Sequence, residues 1–144
     1  MNEKGKSGKV NLGNSAFMPK EEHLETAVRF RRISIGIPCD TRDDEKRVAL
    51  TPEAVNLLVE TGNEVILQKG AGTGANYSDK DYSENGAAIT DSPPRVFSCD
   101  VVIKVAPFNE KEAEYLRGNQ VVLSYLNVLK LSEETLARLS RKKV

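Results

Sequence analysis

Gly36-Ile37-Pro38-Cys39-Asp40-Thr41-Arg42-Asp43-Asp44-Glu45-Lys46-Arg47-Val48-Ala49-Leu50-Thr51-Pro52-Glu53 joins an apolar segment to a helix through a loop dense in charge. Ile33, Ile35 and Ile37 alternate with smaller residues, the period-two spacing of a strand, and Pro38 ends it. Thr51 is a good N-cap, and Pro52 suits the first helical position, where the N–H it lacks would have no intrahelical partner. Arg47 is thereby placed between the carboxyl end of a strand and the amino end of a helix. In open α/β sheets that edge is where ligands bind.

Outward from this stretch, the same alternation of elements repeats. Ala54, Val55, Leu58 and Val59 recur at helical spacing and Gly62 supplies a stop, which predicts a helix over about 52–61. Glu64 to Gln68 read as a second strand, Gly70 to Gly74 as a loop, Asp79 to Asn85 as a brief helix and Ala87 to Ile89 as a short strand. Pro93-Pro94 interrupts the next polar stretch before a helical turn near Arg95 to Phe97. Val101 to Val105 is continuously apolar apart from Lys104, as a central parallel strand would be. A helix over Glu110 to Arg117 ended by Gly118, a strand over Val121 to Ser124 and a helix capped by Ser132 complete the series. This order predicts an α/β domain: a doubly wound, flavodoxin-like parallel sheet with helices on both faces, joined by right-handed crossovers.

Residues 1–31 stand apart as an N-terminal extension, and 32–144 as the domain. The first nineteen residues hold little apolar content and are expected to be flexible, while Glu21, Glu22 and Glu25 ahead of Arg29, Arg31 and Arg32 suggest a short helix over about 20–31. Lysines and arginines number 21 against 21 acidic residues, so no net charge draws the chain to nucleic acid or to an acidic membrane. Two cysteines are too few for a disulfide scaffold, so a reduced cytoplasm is the expected setting, and with no long apolar run and no signal-peptide core in the first residues neither a membrane span nor a signal peptide is expected. Cys39 and Cys99 fit no metal or redox spacing and read as a quiet loop cysteine and a buried one. The single histidine, His23, lies in the extension and cannot make a metal cluster. The acids Asp40, Asp43, Asp44 and Glu45 lack the glycine and spacing of a calcium loop, so they read as a solvated balance to Arg42, Lys46 and Arg47.

Gly36-Ile37-Pro38, Asp40, Glu45 with Arg47-Val48-Ala49-Leu50-Thr51-Pro52, and Gly62-Asn63-Glu64-Val65 together resemble the N-terminal signature of alanine dehydrogenases and of the alpha subunit of NAD(P) transhydrogenase. The resemblance runs on through Lys69-Gly70-Ala71-Gly72, Tyr77-Ser78-Asp79, Tyr82, Gly86-Ala87-Ala88-Ile89 and Ile103-Lys104-Val105, and covers roughly 33–144. It implies a substrate-side domain of an NAD(P)-linked oxidoreductase, with a substrate or nicotinamide in a cleft between this domain and a dinucleotide-binding domain that the chain lacks. On this expectation the chain is a fragment, inactive alone, and the intact protein binds NAD or NADP mainly through the other domain and forms a homo-oligomer. No cofactor-binding residue and no metal are expected within these residues.

The resemblance also assigns roles. In alanine dehydrogenases the arginine matching Arg47 holds the carboxylate of pyruvate or alanine. From the residues alone, Arg47 could instead pair with Asp43, Asp44 or Glu45 and order the loop. Lys104, inside an apolar strand, must reach the strand end, find an anion or shift its pKa, which makes it a weaker substrate candidate. The family's substrate lysine, however, falls at Ala106, and Lys104 matches the other, structural lysine. Asn127 stands where alanine dehydrogenases carry an acid/base histidine, and it can orient a carbonyl but cannot exchange a proton near neutral pH. Transhydrogenase alpha subunits lack the same lysine and histidine. Gly70-Ala71-Gly72-Thr73-Gly74 is followed by Ala75-Asn76-Tyr77 before any helix, so it reads as a structural turn and not as a dinucleotide loop. These departures predict poor alanine oxidation. They also leave two alternatives open: a catalytically silent regulatory or assembly domain, and an amino-acid dehydrogenase of the saccharopine type.

Overall fold

Ser34–Ile37 (β1), Glu64–Gln68 (β2), Ala88–Thr90 (β3), Val101–Ile103 (β4) and Val121–Leu123 (β5) form one sheet in a computed structural model that describes residues 31–41, 44–125 and 132–144. All four neighbouring pairs are parallel, in the order β3-β2-β1-β4-β5. The doubly wound parallel sheet expected from the alternation of elements is present. Its order of 3-2-1-4-5 puts β1 beside β4 at the reversal point, whereas flavodoxin itself runs 2-1-3-4-5.

Between the strands lie α1 (Pro52–Glu60), α2 (Asp79–Glu84), α3 (Pro93–Phe97) and α4 (Glu110–Tyr115), with α5 (Glu133–Lys142) after β5. Each start has a local cause. Thr51 accepts from the Ala54 N–H, Ser132 accepts from Thr135, and full capping boxes close α2 through Ser78 and Asp81 and α4 through Asn109 and Glu112. Pro93-Pro94 opens α3 where an interruption was expected, because the first helical positions do not use the proline N–H. α4 ends at Tyr115, short of Gly118, because Leu116 is extended. The Lys142 ammonium, from the end of α5, donates to the carbonyls of Ala113, Glu114 and Leu116 at 3.1, 3.1 and 2.7 Å.

Strand alternation sorts the core into two faces. Ile35, Ile37, Val65 and Leu67 pack with Val55 of α1 and Tyr82 of α2. Ile66 meets Val96 and Cys99, and Val102 meets Phe97, Phe108 and Leu116. Full burial of such side chains contributes about 1.5–3 kcal/mol each, so this apolar layer is what holds the strand ends in place. Gly36 permits the close seat of α3, since a Cβ there would collide with the Val96 carbonyl oxygen. β5 lies at an edge, with Val121 and Leu123 exposed. The helix expected over about 20–31 falls, apart from Arg31, outside the described residues, as does Asn127.

Candidate functional site

Three loops leave the carboxyl ends of neighbouring strands and meet around a depression of about 470 Å³. The loop from β1 to α1 supplies Asp44, Glu45, Lys46 and Arg47, that from β4 to α4 supplies Val105, Ala106 and Pro107, and the chain beyond β5 supplies Tyr125. β1 and β4 are the two strands at the reversal of the sheet order, where loops from adjacent strands diverge and leave a crevice. Arg47 therefore stands at the sheet edge where the strand-to-helix spacing put it.

Its guanidinium is held from one side. Glu45 accepts from Arg47 Nε at 2.8 Å, from Nη2 at 2.7 Å and from the Arg47 backbone N–H at 3.0 Å. The Arg47 side chain remains 76 % exposed while that of Glu45 is 12 % exposed, so the carboxylate is the seated member and the guanidinium the projecting one. Hydrogen bonding to Glu45, then its charge, pushes the Arg47 pKa up from an already high value, which keeps the group cationic at any physiological pH.

Lys104 is elsewhere. Its side chain is 1 % exposed, and its ammonium donates to both Glu112 oxygens at 2.7 and 2.8 Å, with Asp40 at 3.9 Å and the Phe108 ring centroid at 5.9 Å. Of the outcomes open to a lysine in an apolar strand, it has found an anion, and it does not line the depression. Asp40 also accepts from the Ala106 N–H at 3.2 Å, so this buried charge cluster ties the end of β1 to the floor of the depression. Ala106 itself is buried at the lining and offers no side-chain donor. Sequence reasoning missed Glu112 as the partner, although Asn109-x-x-Glu112 is a capping-box spacing that flags the start of α4.

The glycine loop has a packing use. A Cβ on Gly74 would come within 2.9 Å of the Lys46 carbonyl oxygen and 3.0 Å of its Cα, so only glycine allows this loop to support the Arg47 loop. Cys39 is half-buried, and burial followed by the Asp40 charge pushes its thiol up; burial does the same to Cys99. Among the described residues no cluster of His, Cys, Asp and Glu could hold a metal, and no helix is long and apolar enough to cross a membrane.

Residues 36–144 match the family model described as the alanine dehydrogenase/PNT N-terminal domain. The chain belongs to this family. Alanine dehydrogenase of Staphylococcus saprophyticus subsp. saprophyticus is 38% identical over 110 residues, 76% of this chain and 30% of that protein. Alanine dehydrogenase 2 of Staphylococcus aureus is 37% identical over the same length, again 76% and 30%. Among solved structures, an L-alanine dehydrogenase superposes with a TM-score of 0.70 at 32% identity, over 75% of this chain and 30% of the other. A transhydrogenase from Sinorhizobium meliloti gives 0.69 at 25% identity, over 76% and 32%. The chain thus spans under a third of the length of these relatives. Both kinds of protein named in the family description are represented among them.

Proposed function

We propose that this domain forms the substrate side of an NAD(P)-linked oxidoreductase and that Arg47 receives the carboxylate of a small oxo-acid or amino-acid ligand. The observation that carries this is the projecting Arg47 guanidinium beside a depression at the carboxyl ends of β1 and β4. A planar guanidinium takes a carboxylate through two parallel hydrogen bonds and so fixes orientation as well as position. Val105, Ala106 and Pro107 give the ligand a short apolar wall.

Nicotinamide binding belongs to a second, dinucleotide-binding domain, as in the proteins that this chain resembles. The use of Gly74 for close packing against Lys46 supports that division, because the glycine-rich loop after β2 is already committed to the fold. Lys104 acts through structure, and Asn127, at the family's histidine position, orients a carbonyl. The residues described act alone on no substrate, and alanine oxidation by the intact protein is poor. A cytoplasmic homo-oligomer fits the same family reading.

A silent regulatory or assembly role is favoured by one observation: Ala106 brings no donor or acid to the depression. Affinity for pyruvate in the full-length protein separates the two. Arg47→Ala weakens binding by about 10- to 100-fold if the guanidinium supplies a charge-assisted pair of hydrogen bonds. An unchanged affinity removes Arg47 from the site and favours the silent domain.

A further inference from the structure

Glu45 occupies one edge of the Arg47 guanidinium and leaves the other open, and this asymmetry determines how a ligand can dock. A guanidinium carries five N–H donors and offers carboxylates two distinct forks, one through Nε and Nη2 and one through Nη1 and Nη2. The Nε–Nη2 fork is closed by the two Glu45 oxygens at 2.8 and 2.7 Å. No other described residue hydrogen-bonds the Arg47 side chain, so the Nη1–Nη2 fork is the one presented outward. Glu45 also accepts the Arg47 backbone N–H at 3.0 Å, which locks the side chain to its own main chain.

A carboxylate that took the closed fork would have to break both hydrogen bonds from the guanidinium to Glu45, whose side chain is only 12 % exposed. Docking on the open fork costs no existing contact. We propose that Glu45 is a positioning residue for carboxylate recognition: it orients Arg47 so that the Nη1–Nη2 fork receives the ligand, and it is not displaced when the ligand binds. This rests on Arg47 being the carboxylate contact.

The sign of one substitution separates positioning from competition. Glu45→Gln removes a negative charge beside an anion site, so if Glu45 were a competitor or only a repulsive neighbour, the variant would bind pyruvate more tightly. As a positioning residue its loss leaves Arg47 free to swing, and affinity falls by about tenfold. The test is a titration of pyruvate into the full-length protein with NADH present, using the parent, E45Q, R47K and the double variant, each with its thermal melt recorded. The expected result is weaker binding in E45Q and in R47K, with no further loss when E45Q is added to R47K, because an ammonium has no fork to orient. An unchanged affinity in R47K contradicts the Arg47 assignment itself. A weakened R47K beside an unchanged or tighter E45Q overturns the role of Glu45 alone. Equal losses from E45Q in both backgrounds also overturn it, because they mark general damage to the loop. Where E45Q does not fold, E45D keeps the charge, shortens the reach and enters the same cycle with the same expected pattern.

Discussion

The backbone of Gly74 rests on the backbone of Lys46, so close that a methyl group on Gly74 would stand 2.9 Å from the Lys46 carbonyl oxygen. The contact joins the glycine loop after β2 to the residue next to Arg47. Gly74→Ala must move main chain on one side or the other, and the expected cost is about 1–3 kcal/mol of stability. It should also weaken pyruvate binding, because the displaced atoms belong to the Arg47 loop. Denaturant unfolding and a ligand titration on the same variant check both parts.

Lys104 and Glu112 form a buried pair whose side chains are 1 % and 7 % exposed. Removing one member takes the main partner from the other, leaving Lys104 only Asp40 at 3.9 Å or Glu112 only the Asn109 N–H at 3.0 Å, so Lys104→Met and Glu112→Gln should each cost about 3 kcal/mol. The double variant should lose less than the sum of the two, since neither charge is then left uncompensated. Equilibrium unfolding of the four proteins measures the coupling.

Tyr82 is fully buried, and its hydroxyl donates to the Leu50 carbonyl at 2.7 Å, just ahead of the Thr51 cap. Burial, with the neighbouring Tyr77 next in weight, pushes its pKa up to about 12. A phenol harder to ionise in the folded state stabilises the protein fully below the ordinary value of 10.0, and that stability is lost as pH rises toward about 12. Tyr82→Phe should cost about 1–2 kcal/mol at neutral pH and flatten the alkaline loss above pH 10, read from melting temperature against pH.

At the acid end the sign reverses. The Ser34 N–H and then its hydroxyl, both at 2.9 Å from Asp100 Oδ2, hold Asp100 below the usual carboxylate range, and the Ser78 hydroxyl and N–H do the same to Asp81. A depressed carboxylate gives stability that is present above its ordinary pKa of 3.8 and lost as pH falls through the folded value. Melting temperatures followed from pH 6 down to about 2 should therefore drop less steeply for Asp100→Asn than for the parent.

Local chemistry made much of this architecture readable. Thr51-Pro52 and Ser132 mark helix starts whose caps the structure contains, and the alternation of Ile35 and Ile37 places both on the α1 side of the sheet. The misjudged element ends have nonlocal causes. α4 stops two residues early where the distant Lys142 takes its last carbonyls, and β4 ends at Ile103 although the Lys104 N–H still bonds Leu123 at 2.8 Å. Arg47 was legible as a rim residue from strand and helix signals on either side. Its one-sided hold by Glu45 was only one of several pairings the spacing allowed, because the choice among neighbouring acids is made by side-chain seating.

The most direct test of the carboxylate assignment is a crystal structure of the full-length protein with NADH and pyruvate. The pyruvate carboxylate is expected on Arg47, with Nη1 and Nη2 at about 2.7–3.2 Å from its oxygens and Glu45 still on the opposite edge. Pyruvate bound away from Arg47, with the guanidinium contacting Glu45 and solvent alone, would contradict it.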